Sequence, residues 1–126
     1  MRNQSYAHNA YTQTKISTAV KPVDIVIMLY DGAIEFLERS VSAISMKEVQ
    51  VKLKYVDKTL AIIQELLTSL NMELGGEVAL NLKAIYIYML REIAIANAKN
   101  DIEKLKHVIS LLKTVKEGWT AIRDKV

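Results

Sequence analysis

The histidine and carboxylate side chains are the residues of this sequence best suited to chemistry, and their spacing decides what they can do. Glu103 and His107 are four residues apart, so on a helix they would share one face. A di-iron site in a helical bundle needs a Glu-x-x-His motif on two helices. Neither His8 nor His107 has a glutamate three residues before it. The pair therefore indicates a solvent-facing helix surface, and no metal or other cofactor is predicted.

A phosphotransfer role and acid–base catalysis are also disfavoured. A helical phosphotransfer domain exposes a histidine that is usually followed by lysine and glycine three and four positions later, but Ser110 and Leu111 follow His107 here. Glu35 and Glu38 share a helix face at the spacing of ordinary solvated carboxylates. With no cysteine in the chain, thiolate chemistry is excluded. We therefore predict that the protein is not an enzyme.

The basic character of the chain raises the question of nucleic-acid binding. The pI is about 9.1 and the net charge is +3, but 13 of the 17 basic residues are lysines. Lys99, Lys106 and Lys113 recur every seven residues, on the helix face that a bundle must leave in solvent. No aromatic residue is interleaved with them for base stacking. A nucleic-acid partner is therefore not predicted.

Length and apolar patterning place the chain in one globular domain. Its 126 residues fit a single domain. The longest apolar runs, Ile25–Tyr30 and Ala84–Leu90, have six and seven residues, whereas a membrane span needs roughly 20. The N-terminus lacks the apolar core of a signal peptide. We expect a cytoplasmic protein with no stable membrane insertion.

Helical periodicity runs from Pro22, which suits a first helical turn, almost to the end of the chain. Ser45 and Glu48 have the spacing of a capping box that would start the second helix. Breaks are predicted at Asn71–Gly76, before a helix beginning at Glu77, and at Asn100-Asp101. The first two apolar seams, with spacings of three and four residues, are Val23, Ile27, Tyr30, Ile34, Leu37, Val41 and Ile44, then Val49, Leu53, Val56, Leu60, Ile63, Leu67 and Leu70.

Four helices joined by short connections predict an all-α fold, an antiparallel up-down-up-down four-helix bundle spanning residues 22–126. The fourth seam runs from Ile102 and includes Trp119. Residues 1–21 form a separate, mostly irregular segment that is polar and aperiodic. This segment carries Tyr6, Tyr11 and Ile16.

The third helix has more apolar surface than a bundle core can cover. From Val78 to Ala98, 16 of 21 residues are apolar, although a peripheral helix should have a polar outer face. The second helix has a smaller surplus. The candidate partner-binding residues are those left outside the core seams: Ile62, Leu66, Ile85, Ile87, Tyr88, Leu90 and Ile95.

Two interpretations of this surplus stay open at the level of the residues. Tyr6, Tyr11 and Ile16 could fold back over the third helix as a lid, or the chain could self-associate through that face. Alternatively, the face is a groove for an amphipathic partner helix.

Several short motifs follow one another in order along the chain. They are Asn9-Ala10-Tyr11, Met28-Leu29-Tyr30-Asp31-Gly32-Ala33-Ile34, Gly75-Gly76-Glu77-Val78-Ala79, Asn81-Leu82, Ile85-Tyr86, Tyr88-Met89, Arg91, Ala96-Asn97, Asn100-Asp101 and Trp119. Over roughly residues 9–122, this series resembles the FliS family of flagellar secretion chaperones. The departures from the family pattern are Lys21 where serine is common, Ile87 in place of an acid, Glu92 in place of a second base, and Gly118 in place of alanine.

The resemblance implies a helical bundle in the bacterial cytoplasm that binds the disordered C-terminal segment of flagellin. Such a chaperone prevents premature polymerisation and delivers flagellin to the flagellar type III export apparatus. It also implies that the apolar face of the third helix contacts this client. Competition by other flagellar proteins stays open. The alternative is a structural four-helix protein that self-associates through the same face.

Overall fold

The computed structural model describes residues 22–125, which form an antiparallel four-helix bundle. The helices are α1 (Pro22–Ser45), α2 (Val49–Thr68), α3 (Met72–Lys99) and α4 (Ile102–Arg123). Because the connections are short, consecutive helices are antiparallel neighbours. α1 and α3 each pack against both α2 and α4. The predicted fold class is confirmed, whereas the predicted segment 1–21 lies outside the described residues.

The core face of α1 follows the predicted seam. Ile27, Tyr30, Ile34 and Leu37 are buried, and the helix passes through Gly32 without a break. A β-carbon at Gly32 would lie 3.3 Å from the Cδ1 atom of Ile62. Glycine at this position therefore allows α1 and α2 to approach closely, which explains a residue that is otherwise unfavourable inside a helix.

The core face of α2 differs from the predicted seam. Val49 is 60 % exposed and Leu53 36 % exposed, so this side of the helix is not in the core. Two polar residues of α2, Lys52 and Thr59, can be buried because their polar groups are hydrogen-bonded. The Thr59 hydroxyl donates to the Tyr55 carbonyl at 2.8 Å, and the contacts of Lys52 are described below. The residues of α2 that the structure buries are Lys52, Val56, Thr59, Ile62, Ile63 and Leu66.

The α1–α2 connection corrects the predicted capping box. Ser45 is the last residue of α1 rather than the N-cap of α2. Lys47 adopts a left-handed conformation with φ of 59°, and the Glu48 amide donates to the Ala43 carbonyl at 2.8 Å. This is a Schellman turn, in which backbone hydrogen bonds satisfy carbonyl groups at the end of α1. Glu48 occupies the N-cap position of α2 without a side-chain hydrogen bond.

The ends of α3 agree partly with the predicted breaks. Asn71 caps a first turn, Met72–Gly75, and Gly76 (φ 52°, ψ −131°) then kinks the chain before the regular helix. The helix thus starts earlier than the predicted Glu77. At the other end, Asn100 is left-handed with φ of 52°, and the Asp101 side chain accepts a hydrogen bond from the Lys104 amide at 3.0 Å. The break at Asn100-Asp101 is confirmed.

Candidate protein-binding surface

One face of α3 points into the bundle. Its buried residues recur every three or four positions, which places them on one side of the helix. The remaining apolar residues of α3 therefore lie on its two edges or its outer face, and these differ in chemistry. The buried residues are Ala79, Leu82, Tyr86, Met89, Ile93 and Ala96.

The edge of α3 that faces α4 is polar. The Glu92 carboxylate contacts the Lys104 ammonium at 3.0 Å, and the ring of Tyr88 meets His107 edge-on with centroids 6.2 Å apart. The hydrogen bond from Lys104 is the main cause that lowers the pKa of Glu92. The same bond raises the pKa of Lys104, so both groups are charged at neutral pH. The α3/α4 edge is closed by these contacts between the helices.

The edge of α3 that faces α2 is apolar. Leu90 lies about 200° around the helix from both Tyr88 and Glu92, since each residue advances about 100°. Leu80 and Ile87, ten and three residues before it, share this edge and are 58 % and 46 % exposed.

The adjoining edge of α2 is apolar as well. The ring of Tyr55 stacks on Phe36 of α1 at 5.7 Å, so Leu53, about 200° away on α2, lies on the side of α3. Val49, one turn earlier, shares that side. Among residues 22–125, no salt bridge joins α2 to α3. We call Val49, Leu53, Leu80, Ile87 and Leu90 the α2/α3 stripe.

One buried polar contact anchors α2 to α3 near the end of this stripe. The Lys52 ammonium donates to the backbone carbonyl of Asn97 at 3.0 Å and to the side-chain oxygen of Asn100 at 2.8 Å. Asn100 is the left-handed residue that ends α3, so the contact fixes that corner of the bundle. A lysine can be buried here because its ammonium group is hydrogen-bonded.

An apolar cleft of about 360 Å³ opens at the opposite end of the bundle. All four helices contribute, with Val26 from α1, Leu66 from α2, Tyr86 from α3 and Trp119 from α4. Leu74 and Val78 line the cleft, yet they are 87 % and 66 % exposed. We call this the end cleft. Its full lining is Val26, Leu66, Ser69, Leu70, Asn71, Leu74, Gly75, Val78, Ala79, Leu82, Tyr86 and Trp119.

A tyrosine pair lies beside the end cleft. The hydroxyl groups of Tyr30 and Tyr86 are hydrogen-bonded at 2.5 Å, and both side chains are buried. Burial is the main cause that raises the pKa of Tyr30 and of Tyr86, so both phenols are neutral at physiological pH. The pair satisfies its own polar groups inside the core and leaves the cleft wall apolar.

The sequence matches a profile described as "Flagellar protein FliS" over residues 2–126. The chain belongs to the FliS family. It is 36 % identical over 122 residues to the flagellar secretion chaperone FliS of Vibrio cholerae, covering 97 % of this chain and 90 % of the relative. The corresponding chaperone of Salmonella typhimurium is 35 % identical over 120 residues, covering 92 % of this chain and 89 % of the relative.

A solved structure supports the fold of this FliS-family chain. It is described as "Crystal structure of flagellar chaperone from bacteria" and superposes with a TM-score of 0.79 at 17 % identity. The match covers 97 % of this chain and 98 % of the solved chain. At this level of identity the likeness establishes the fold, while the sequence relatives establish the family.

Parts of several motifs that carry the FliS resemblance lie at the end cleft. Gly75, Val78, Ala79 and Tyr86 all line it. Two of the departures lie elsewhere: Ile87 belongs to the α2/α3 stripe, and Glu92 makes the ion pair with Lys104 on the α3/α4 edge. A β-carbon at Gly118 would have no neighbour within 4 Å, so alanine at this position needs no rearrangement.

The structure separates the candidate partner-binding residues into three groups. Ile62 and Leu66 are only 5 % and 2 % exposed, so their placement outside the core is wrong, because the core face of α2 is rotated from the predicted seam. Leu66 also lines the end cleft. Ile87 and Leu90 belong to the α2/α3 stripe.

The third group lies on the other side of α3. Tyr88 lies on the edge that faces α4, and Ile85 and Ile95 are half-buried. The predicted lid residues Tyr6, Tyr11 and Ile16 lie outside the described residues. Sequence reasoning missed Val49, Leu53, Leu74 and Val78, although Leu74 directly precedes the glycine pair and Val78 lies two residues after it.

The described residues also bear on ion and membrane chemistry. Between residues 22 and 125, no group of three or more histidine, aspartate and glutamate side chains is arranged to hold a metal ion. Within the same range, no helix combines the length and apolarity needed to cross a membrane. The α2/α3 stripe and the end cleft, by contrast, are apolar.

Proposed function

We propose that this protein is a cytoplasmic export chaperone that binds the disordered C-terminal segment of flagellin. In this role it prevents premature polymerisation and delivers flagellin to the flagellar type III export apparatus. The observation that carries the proposal is the exposed α2/α3 stripe, next to the end cleft, in a chain of the FliS family. An amphipathic helix binds such a groove through apolar residues spaced three and four apart.

The energetics of such binding suit a carrier. A disordered client loses conformational entropy when it orders on the chaperone, so a large apolar contact gives only moderate affinity. Moderate affinity permits release at the export apparatus. Because the contact is apolar, binding is expected to depend little on salt, unlike binding to a nucleic acid.

Calorimetric titration with a flagellin C-terminal peptide tests the proposal. We expect one peptide per chain, a clearly negative heat-capacity change from apolar burial, and little change in affinity between low and high salt. A scrambled peptide of the same composition is the control. The titration is run at two temperatures, so that a binding enthalpy of zero is not mistaken for absence of binding. If the matched peptide does not bind at tens of micromolar, the proposed function is refuted.

The second candidate function is self-association through the same face, as a structural four-helix protein. The exposed side chains of Val49, Leu80 and Ile87 favour it, since large apolar patches mark interaction sites. Sedimentation across a hundredfold concentration range separates the two candidates. A chaperone stays monomeric or dissociates when the peptide is added, whereas a structural assembly persists with the peptide present.

We further propose that residues 1–21 act as a displaceable lid over the binding face. These residues lie outside the described part of the chain. The proposal is supported by the start of α1 at Pro22, because Val26, one turn later, lines the end cleft. A client that binds only the open state must overcome the closed fraction, which lowers its apparent affinity.

Deletion of residues 1–15 tests the lid. Removal of a competing lid should leave the client affinity equal or higher and should increase self-association, because apolar surface is uncovered. Circular dichroism provides the control for folding. A clear loss of client affinity in a folded deletion variant would mean instead that Tyr6 and Tyr11 contact the client directly.

A further inference from the structure

The first turn of α3 holds a large apolar side chain at the mouth of the end cleft. Leu74 is 87 % exposed although it lines the cleft, and Met72 beside it is 39 % exposed. An exposed leucine gains nothing from folding, but it contributes to binding when a ligand buries it. The turn therefore offers apolar surface that is unused in the free protein.

This turn is a small unit joined to the rest of α3 through one glycine. The Asn71 side chain accepts a hydrogen bond from the Leu74 amide at 2.9 Å, and the Asn71 carbonyl accepts one from the Gly75 amide at 2.8 Å. Gly76 follows with φ of 52° and ψ of −131°, a conformation that residues with a β-carbon rarely adopt. Nothing lies within 4 Å of a β-carbon built there, so glycine is required by the backbone and not by space.

We propose that the turn Met72–Gly75, hinged at Gly76, is a strap that closes Leu74 over a large apolar side chain of the client in the end cleft. The inference rests on the proposed chaperone function and deepens it by assigning an anchor pocket. The anchor is a leucine, isoleucine, methionine or phenylalanine of an amphipathic client segment.

Continuity with the α2/α3 stripe supports a client as the occupant. Leu70 of the cleft follows α2, and Leu82 comes from α3, the two helices that carry the stripe. Leu80 of the stripe lies between Ala79 and Leu82, which both line the cleft. One client segment that follows the stripe can thus extend into the cleft. The volume of about 360 Å³ is in the range of pockets that bury a ligand group.

The Leu74→Ser variant tests the anchor, with Met46→Ser as the matched control. Met46 is also exposed, at 69 %, but it lies in the α1–α2 connection at the other end of the bundle. In titrations of the full chain with the flagellin C-terminal peptide, Leu74→Ser should weaken binding about tenfold, as expected for losing one buried apolar side chain. The Met46→Ser variant should bind the peptide with unchanged affinity. The Leu74→Ser variant should keep the melting temperature of the wild type.

Other outcomes identify other occupants and overturn the inference. A higher affinity for the Leu74→Ser variant would mean that residues 1–21 of this chain fill the cleft in competition with the client. An unchanged affinity with reduced self-association would mean that a second copy fills it. Unchanged affinity and unchanged association would leave the strap without a role. Failure of the wild-type chain to bind the peptide would instead refute the proposed function.

The Gly76→Ala variant tests the hinge, with Gly118→Ala as the control. Alanine at Gly76 disfavours the kinked backbone, so client affinity should fall about fivefold while the bundle stays folded. Alanine at Gly118, on the surface of α4, should not alter affinity. In the wild-type complex, amide hydrogen exchange at Leu74 and Gly75 should be slowed. Wild-type affinity of Gly76→Ala, or unslowed exchange in the complex, would overturn the hinge.

Discussion

The bundle has two faces of opposite chemistry, one between α1 and α4 and one between α2 and α3. On the first, three ion pairs cross from helix to helix: Lys116–Asp31 at 2.5 Å, Lys113–Glu38 at 3.8 Å and Arg123–Asp24 at 3.6 Å. On the second, the described residues form no ion pair between the helices, and the α2/α3 stripe is apolar and partly exposed.

The difference indicates that the α2/α3 face is the better suited of the two to bind a partner. Exposed ion pairs contribute little to stability, so the charges on the α1/α4 face chiefly keep that face solvated. Exposed aliphatic side chains on the α2/α3 face do not form favourable polar contacts with water. Burial of each side chain by a partner is therefore favourable. Substitutions on each face test this difference.

The largest effect is expected for Trp119→Ala, at the cleft end of α4. Trp119 packs against the core but is only half-buried, so the loss of stability should be about 2–4 kcal/mol, towards the lower part of the range for large-to-small core changes. Thermal and denaturant unfolding measure it. Ile122→Ala, at a position 53 % exposed, is the control and should change stability little. Unaltered unfolding of Trp119→Ala would assign the indole wholly to the binding surface.

Ile87→Asp should weaken client binding by about 1–3 kcal/mol without unfolding the bundle. The free protein tolerates the charge because Ile87 is 46 % exposed, whereas the complex would bury it without a partner. Leu90→Asp should weaken binding as well and should also reduce stability, because Leu90 packs against the core.

Ser110→Asp is the control for Ile87→Asp, since it adds the same charge on the exposed surface of α4. Calorimetry should find its client affinity unchanged. If circular dichroism showed that Ile87→Asp had unfolded, Ile87 would be a core residue. If Ile87→Asp and Ser110→Asp weakened binding equally, the loss would not be specific to the α2/α3 face.

A smaller effect is expected for Lys116→Ala on the α1/α4 face. Loss of the pair with Asp31 should reduce stability by at most about 1 kcal/mol. The reduction should shrink in high salt, which screens exposed charges. Client affinity should match the wild type in calorimetry. A marked fall in affinity would mean that the client also crosses the α1/α4 face.

The smallest effect is expected at the α3/α4 edge on acidification. The hydrogen bond from Lys104 holds the pKa of Glu92 below its ordinary value of 4.5. The stability from this pair is therefore present above pH 4.5 and is lost as the pH falls through the lower folded-state pKa. Melting temperatures between pH 6 and 3 should fall less steeply for Glu92→Gln than for the wild type. Parallel curves would mean that the pair contributes nothing to folding.

The sequence predicts helices better than it predicts which side of each helix is buried. The α1 seam is confirmed along its middle turns, where the apolar residues are buried. The α2 seam is confirmed only at Val56 and Ile63. It is wrong at its start because Lys52 and Thr59 occupy core positions, and apolar periodicity cannot detect a buried polar residue that is hydrogen-bonded. The residues taken for the α2 core include Val49 and Leu53, which form one side of the α2/α3 stripe.

The candidate site was predicted only in part for a related reason. The apolar surplus on α3 predicts apolar surface outside the core, and Ile87 is indeed exposed, but periodicity cannot assign the two edges of α3 to different neighbours. That assignment requires the contacts of Tyr88 and Glu92 with α4. Leu74 escapes prediction because a glycine pair interrupts the pattern beside it, so the residue reads as part of a connection.

Trp119 is the only tryptophan of the chain, and it lines the end cleft. The indole is therefore a natural optical reporter of the occupancy of that cleft. Its emission should move to shorter wavelength and become less accessible to a soluble quencher when an apolar group replaces water beside it. Since no residue of the stripe lines the end cleft, a client fragment that binds only the stripe should leave the emission unchanged. Fluorescence and calorimetry together therefore report the two contacts separately.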